Sequence, residues 1–146
     1  MSARLVAAAA VLVSAIVHLW LWIDGFRDVN IVGPAFVLNA VAGVCIAVLL
    51  LAWRHWIPLL LGVGFGAATL AAFIISTTVG LFGYHEHWVG VYVWVAFVAE
   101  IVAIVAGVGA AAREGYLSHS AAPHRVGVRP PQGERRPASG KRVKST

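Results

Sequence analysis

Four long apolar stretches, separated by short polar loops, constrain this chain more than any other feature. They cover about residues 5–23, 34–53, 58–80 and 89–112. A helix needs about 20 apolar residues to cross the hydrocarbon core of a bilayer, because each residue rises about 1.5 Å. Only 12% of the residues are charged, against about 25% in soluble domains. The sequence therefore predicts an all-α integral membrane four-helix bundle that forms one domain.

The first apolar stretch has some features of a secretory signal peptide, because it is rich in alanine and follows Arg4. It is longer than the usual apolar core of a signal peptide, and no small-residue cleavage site follows it. It ends instead in an aromatic segment at residues 18–22. We expect it to remain as an uncleaved first helix.

The distribution of positive charge predicts how the bundle is oriented. Four helices place both ends of the chain on one side of the membrane, and cytoplasmic segments carry an excess of Lys and Arg. If both ends are cytoplasmic, all of the 11 Lys and Arg residues except Arg27 lie inside. We therefore expect a multi-pass plasma-membrane protein whose N and C termini are cytoplasmic.

Residues 113–146 differ sharply in composition from the rest of the chain. They are rich in Pro, Gly, Ser and basic residues and contain few large apolar side chains, which predicts a disordered basic cytoplasmic tail. Anionic lipid headgroups are its candidate partners, and the interpretation that the composition favours more is a solubilising topology anchor. Nucleic acid is not an expected partner, because the chain has no folded reader or aromatic platform. The candidate lipid-binding residues are Arg135, Arg136, Lys141, Arg142 and Lys144.

Glu100 lies near the middle of the fourth apolar stretch. A charged carboxylate at that depth costs about 2.5 kcal/mol or more, so we expect this carboxyl to be neutral or hydrogen-bonded and to face other helices. Small residues at every fourth position allow another helix to approach closely beside it. These residues are Ala99, Ala103, Gly107 and Ala111.

The uncharged and ionisable polar residues of the predicted helices are concentrated in their outer halves. His18 of the first helix, Asn39 of the second and Glu100 of the fourth are predicted to converge on a buried site that opens outward. Ionisable residues inside a membrane are candidates for function, so this site would be a small ligand pocket or a proton-responsive pair. A structural network that fixes helix register is the other interpretation. The inner halves are almost wholly apolar, which does not support a polar route across the membrane.

His85, Glu86 and His87 are candidate metal ligands in the loop before the fourth helix. Imidazole and carboxylate groups suit Zn²⁺ or Cu²⁺, and Asp24 could add a further ligand. A structural zinc site usually has four protein ligands, so a solvated loop without metal is the alternative. The single Cys45 lies in an apolar stretch and is expected to act as a small apolar residue.

No catalytic sequence pattern is present, so the sequence does not indicate an enzyme and indicates no cofactor. The predicted function is that of an accessory, interaction or sensor subunit with an outward-facing polar pocket. Metal-ion or proton handling is the alternative. A membrane-protein partner or a second copy of the chain is possible, because the GxxxG pair Gly62 and Gly66 can pack helices within or between molecules.

Four short segments carry a resemblance to a known group of proteins. They are residues 18–22 (HLWLW), 25–28 (GFRD), 33–34 (GP) and 38–43 (LNAVAG). Over about residues 5–112 the chain resembles small four-helix membrane proteins that are common in high-GC actinobacteria. That group has no assigned activity, so the resemblance implies architecture alone. The layout is similar to that of DoxX-like proteins only in outline, and no motif transfers site residues from them.

Overall fold

Four long helices make up most of the computed structural model, which describes residues 2–81, 83, 85, 87 and 89–117. No β-strand occurs in this part of the chain, so the all-helical prediction is confirmed there. The observed helices begin and end one or two residues from the predicted positions. They are α1 (Ala3–Leu21), α2 (Val32–Ala52), α3 (Trp56–Thr78) and α4 (Val91–Arg113), and a π-helical turn, Trp22–Phe26, extends α1.

All four helices are long and apolar enough to cross a membrane by length and composition. The predicted tail from residue 118 onward lies outside the described residues, and so do its five candidate lipid-binding residues.

The helices pack in the cyclic order α1–α2–α3–α4. α1 packs extensively against both α2 and α4, and α3 packs against α4, whereas the seam between α2 and α3 is the least packed of the four. The core between them is built mainly of alanine, with Val11, Leu50 and Leu59 as its largest fully buried aliphatic side chains. One side of the bundle is therefore more loosely closed than the others.

Glycine allows the closest approaches between helices. At Gly43 of α2, an added Cβ would lie 2.7 Å from the Cβ of Ala15 and 3.1 Å from the ring of Phe65, so α1, α2 and α3 meet there without room for a side chain. Gly62 and Gly66 of α3 are both buried inside the bundle. The GxxxG pair therefore packs helices within one molecule.

A buried arginine joins three segments at the end of the bundle where the chain enters α1 and leaves α4. Arg4 is only 6% exposed. Its Nε and Nη2 donate to the two carboxylate oxygens of Glu114 at 2.9 and 2.6 Å. Its Nη1 and Nη2 also donate to the carbonyl oxygens of Trp53 and His55, each at 3.0 Å. This Arg4–Glu114 cluster therefore ties α1 to the end of α4 and to the α2–α3 connection.

Arg4 also changes the acid–base behaviour of its partner. The hydrogen bond from Arg4 holds the pKa of Glu114 below its usual value of 4.5, and the positive charges of Arg4 and Arg54 act in the same direction, while partial burial opposes them. Because the folded state lowers this pKa, the ionised carboxylate stabilises the fold above pH 4.5, and that contribution is lost as the pH falls through the lowered value.

We expect Glu114→Gln to lower the free energy of unfolding at pH 7 by about 1 kcal/mol, because the amide loses the charge-assisted pair while the site remains partly exposed. The difference between wild type and variant should shrink as the pH falls from 4.5, where the carboxylate of the unfolded chain takes up a proton, to the lowered pKa, where that of the folded protein does so too. Unfolding with SDS in mixed micelles, followed by circular dichroism, measures both effects.

Asp28→Asn is the matched control, because it removes an exposed acid from the loop that leads into α2. A change of less than about 0.5 kcal/mol is expected for it. Equal losses in the two variants, or a Glu114→Gln difference that does not depend on pH, would contradict the role assigned to the Arg4–Glu114 cluster.

Candidate functional site

Three buried polar side chains meet between α1 and α4. Ser14 and His18 lie one helical turn apart on α1, and the Ser14 hydroxyl donates to Oε1 of Glu100 at 3.3 Å. Nδ1 of His18 lies 2.8 Å from the carbonyl oxygen of Ser14, and Nε2 of His18 lies 4.0 Å from Oε1 of Glu100. Glu100 is only 2% exposed. The acid is thus held by one hydroxyl and faces an imidazole beyond hydrogen-bond distance.

Close backbone packing fixes the depth of Glu100. An added Cβ on Gly66 of α3 would lie 2.9 Å from the carbonyl oxygen of Glu100 and 3.0 Å from the side chain of Ile104. Ala103 packs beside Gly66 and follows Ala99 by one helical turn, and both alanines are buried. The small-residue face predicted for α4 therefore packs against the neighbouring helices, and this packing sets the position of the Glu100 carboxyl.

Asn39 belongs to a second polar contact, between α2 and α3. The hydroxyl of Thr69 lies 2.8 Å from the carbonyl oxygen of Phe65 and 3.3 Å from Oδ1 of Asn39. Its single proton can therefore satisfy either acceptor. No described residue accepts a hydrogen bond from the amide nitrogen of Asn39, so that nitrogen remains available to a ligand.

These two groups border one cavity of about 410 Å³ to which all four helices contribute. The cavity lies in the half of the bundle that is distant from the Arg4–Glu114 cluster. Leu38, at its rim on α2, is 70% exposed, so the cavity opens sideways at the loosely packed α2–α3 seam. None of the described residues of its walls is a Lys or an Arg. The walls are formed by His18, Leu21, Val32, Ala35, Phe36, Leu38, Asn39, Ala42, Ala68, Thr69, Ala72, Phe73, Ser76, Leu81, Val93, Ala96, Phe97 and Glu100.

The structure brings His18, Asn39 and Glu100 to this one cavity but does not join them in a single hydrogen-bonded network. Asn39 is bonded through Thr69, a partner that the sequence analysis did not identify. The Arg4–Glu114 pair was also missed. The available signal was that opposite charges occur where the first helix begins and the fourth ends, positions that antiparallel helices bring to the same side.

The predicted metal ligands lie in a loop that is only partly described. The ring of His85 packs against Gly80, where an added Cβ would lie 2.6 Å from Nε2. Glu86 lies outside the described residues, and Asp24 is an exposed residue of the π-helical turn. Within the described ranges, no three His, Cys, Asp or Glu side chains are close enough together to hold a metal ion. A site at His85, Glu86 and His87 stays a prediction.

Comparison with known proteins adds no family assignment. No model of a known protein family matches the chain, and no curated protein and no solved structure matches it either. The resemblance to small actinobacterial membrane proteins therefore stays a prediction, and the functional argument depends on the site alone.

We expect Gly66→Ala to destabilise the bundle by about 1–3 kcal/mol, because the new methyl group would press on the backbone at Glu100. Gly64→Ala is the matched control on the same helix. Nothing lies within 4 Å of an added Cβ at Gly64, so this change should be neutral or stabilising by up to about 1 kcal/mol. SDS unfolding compares the two variants, and losses of the same size would show that Gly66 is not a close-packing position.

Proposed function

We propose that this chain spans the plasma membrane four times, with both termini in the cytoplasm, and binds a small lipophilic molecule in the outer half of the bundle as an accessory or sensor subunit. The observation that carries this proposal is the cavity that opens at the α2–α3 seam. It has apolar walls and a few converging polar groups, which is the usual composition of a small-molecule site.

The outer surface of the bundle supports membrane insertion. Large apolar side chains are exposed on every helix, including Ile16, Val48, Leu60 and Val105. Soluble monomers rarely expose continuous apolar surface of this extent, whereas lipid tails are its natural surroundings. Insertion therefore accounts both for the length of the helices and for what they expose.

The distribution of charge supports the orientation. Arg54 and Arg113 lie at the end of the bundle that contains the Arg4–Glu114 cluster, whereas Arg27 lies at the opposite end, in the loop after the π-helical turn. The positive-inside rule places the arginine-rich end in the cytoplasm. The cavity then lies in the outer half, as the sequence analysis predicts for His18, Asn39 and Glu100.

The inner half of the bundle supports binding over transport. On the cytoplasmic side of Glu100 the core consists of alanine with Val11, Leu50 and Leu59, and all three larger side chains are fully or almost fully buried. The Arg4–Glu114 cluster closes that end. A ligand that entered through the α2–α3 seam would come from the lipid phase and would leave by the same route, which suits a sensor or an accessory subunit.

Proton handling is the second candidate, and one observation favours it. His18 Nε2 and Glu100 Oε1 face each other at 4.0 Å in a low-dielectric site, where one added proton would change the charge of the pair. Metal handling has less support, because the described residues contain no three-ligand group.

Filling the cavity tests ligand binding. Ala72 of α3 lines the cavity, and its neighbour Ala71 is exposed on the outer surface. We expect Ala72→Phe to abolish binding of phenylbutanol to the protein in nanodiscs, and Ala71→Phe to leave it unchanged. Isothermal titration, with the heat from empty nanodiscs subtracted, measures the binding. Equal behaviour of the two variants, or no binding by the wild type, would contradict a ligand site in the cavity.

Cysteine labelling tests the orientation. In a Cys45→Ser background, we expect Asp28→Cys to react with a membrane-impermeant maleimide on intact cells, and Ser139→Cys to react only after lysis. A cysteine that replaces Ser139 reports on the tail and one that replaces Asp28 reports on the loop before α2, so each controls for the other. The reverse pattern would turn the cavity towards the cytoplasm.

A further inference from the structure

The floor of the cavity presents a carboxylate oxygen that has no partner. Ser14 donates to Oε1 of Glu100, but no described residue donates to Oε2. Every fully enclosed side-chain nitrogen and oxygen in the described residues does have a hydrogen-bond partner. Since Oε2 has none, it is not fully enclosed, and it borders the cavity whose wall includes Glu100.

His18 presents a second acceptor beside it. A backbone carbonyl only accepts hydrogen bonds, so the 2.8 Å contact between Nδ1 and the Ser14 carbonyl oxygen assigns the ring proton to Nδ1. In the neutral ring, Nε2 then carries the lone pair. This nitrogen lies 4.0 Å from Oε1 of Glu100, which leaves both groups able to accept from a third. The floor therefore offers acceptors at Glu100 and His18 to one donor-bearing group.

The walls determine which charge that group carries. No described Lys or Arg lines the cavity, and a neutral His18 adds no positive charge. An ionised Glu100 therefore has no permanent cation beside it among the described residues, and an unpaired buried carboxylate is costly. Phe36, Phe73 and Phe97 line the walls, and aromatic faces attract cations. Phe36 also packs edge-on against His18, with ring centroids 5.3 Å apart. A cation suits these surroundings, and an anion does not.

An ammonium group can make more favourable contacts with these acceptors than a hydroxyl, a carbonyl or a metal ion can. It has three donors and a positive charge, so it can bond Glu100 and His18 together, whereas a hydroxyl has one donor and no charge. A carbonyl or quinone oxygen has no proton to donate, so it cannot bond Nε2 of His18. A bare metal ion would find too few ligands among the described side chains.

We infer that the cavity binds a lipophilic primary amine in its protonated form. The ammonium group lies against Glu100 Oε2 and His18 Nε2, and the apolar body extends past Phe36 and Phe73 to the α2–α3 seam. The observation that carries this inference is that no described residue donates to Glu100 Oε2 or to His18 Nε2, while both side chains line one cavity. It rests on the proposed ligand-binding function and names the ligand class for the same cavity.

Three probes of one shape but different charge test the ligand class. Phenylbutylamine, phenylbutanol and phenylbutyrate are titrated into the full-length protein in nanodiscs at pH 7, with empty nanodiscs subtracted for partition into lipid. The amine should bind at least about tenfold more tightly than the alcohol, since hydrogen bonds to a charged group are markedly stronger than neutral ones. The carboxylate should bind more weakly than either.

Two variants test whether Glu100 is the source of the preference for the amine. Glu100→Gln keeps an acceptor for Ser14 but removes the charge, so it should remove the preference for the amine over the alcohol. Glu114→Gln makes the same change at the opposite end of the bundle and should preserve that preference. If Glu100→Gln does not fold, Ala72→Phe takes its place, and it should abolish binding of amine and alcohol together.

The possible results separate the two proposals. Equal affinity for amine and alcohol in the wild type, or an amine preference that survives Glu100→Gln, would overturn the amine and leave ligand binding in place. Amine binding that survives Ala72→Phe would place the amine elsewhere and overturn the inference. If none of the three probes binds, the amine and the proposed ligand-binding function both fall.

Discussion

A carboxyl group placed at the centre of an apolar bundle has to be satisfied inside that bundle, and the arrangement of the helices follows from this requirement. Glu100 depends on α1, because the Ser14 hydroxyl is its hydrogen-bond donor. It depends on α3 as well, because only a glycine at position 66 lets the α3 backbone reach the Glu100 carbonyl. Moving α4 by one turn along either neighbour would leave the acid without its partner, at a cost comparable to that of an unmade buried hydrogen bond.

Residue size explains why the bundle is closed on one side and open on another. Glycines at positions 43, 66 and 107, where an added Cβ would lie within 3.0 Å of a neighbouring helix, bring the helices together in the middle and towards the Arg4–Glu114 cluster. In the other half the residues of α2 and α3 that face the interior include Phe36 and Phe73. The ring of Phe36 packs against His18 and Phe26, and the ring of Phe73 lies near Phe97 of α4, while the alanines of α2 and α3 do not fill the space between these two helices. The cavity is therefore a consequence of side-chain volume, and it does not require a loop or an inserted segment.

Much of this architecture could be predicted from the sequence, because apolar length and small-residue spacing are local properties. The convergence of His18, Asn39 and Glu100 on one cavity also followed from their depth along the helices. Partners across helices were harder to predict. Thr69 is one of several hydroxyl-bearing residues on α3, and only the relative rotation of α2 and α3 determines that it is the one to contact Asn39. Arg4 could be counted as a topology signal, but its hydrogen bonds to the carbonyls of Trp53 and His55 depend on how the α2–α3 connection folds back.

The Arg4–Glu114 cluster and the Thr69–Asn39 contact have different structural roles in the bundle. Arg4 holds the α2–α3 connection through two backbone carbonyls and holds the end of α4 through Glu114, so these three segments are fixed relative to one another at that end of the bundle. α2 and α3 are the least packed of the four neighbouring helix pairs, and the hydroxyl of Thr69 donates to Oδ1 of Asn39 between them. The polar contacts at the Arg4 end therefore join more segments than the contact across the α2–α3 seam, which is the least packed side of the bundle.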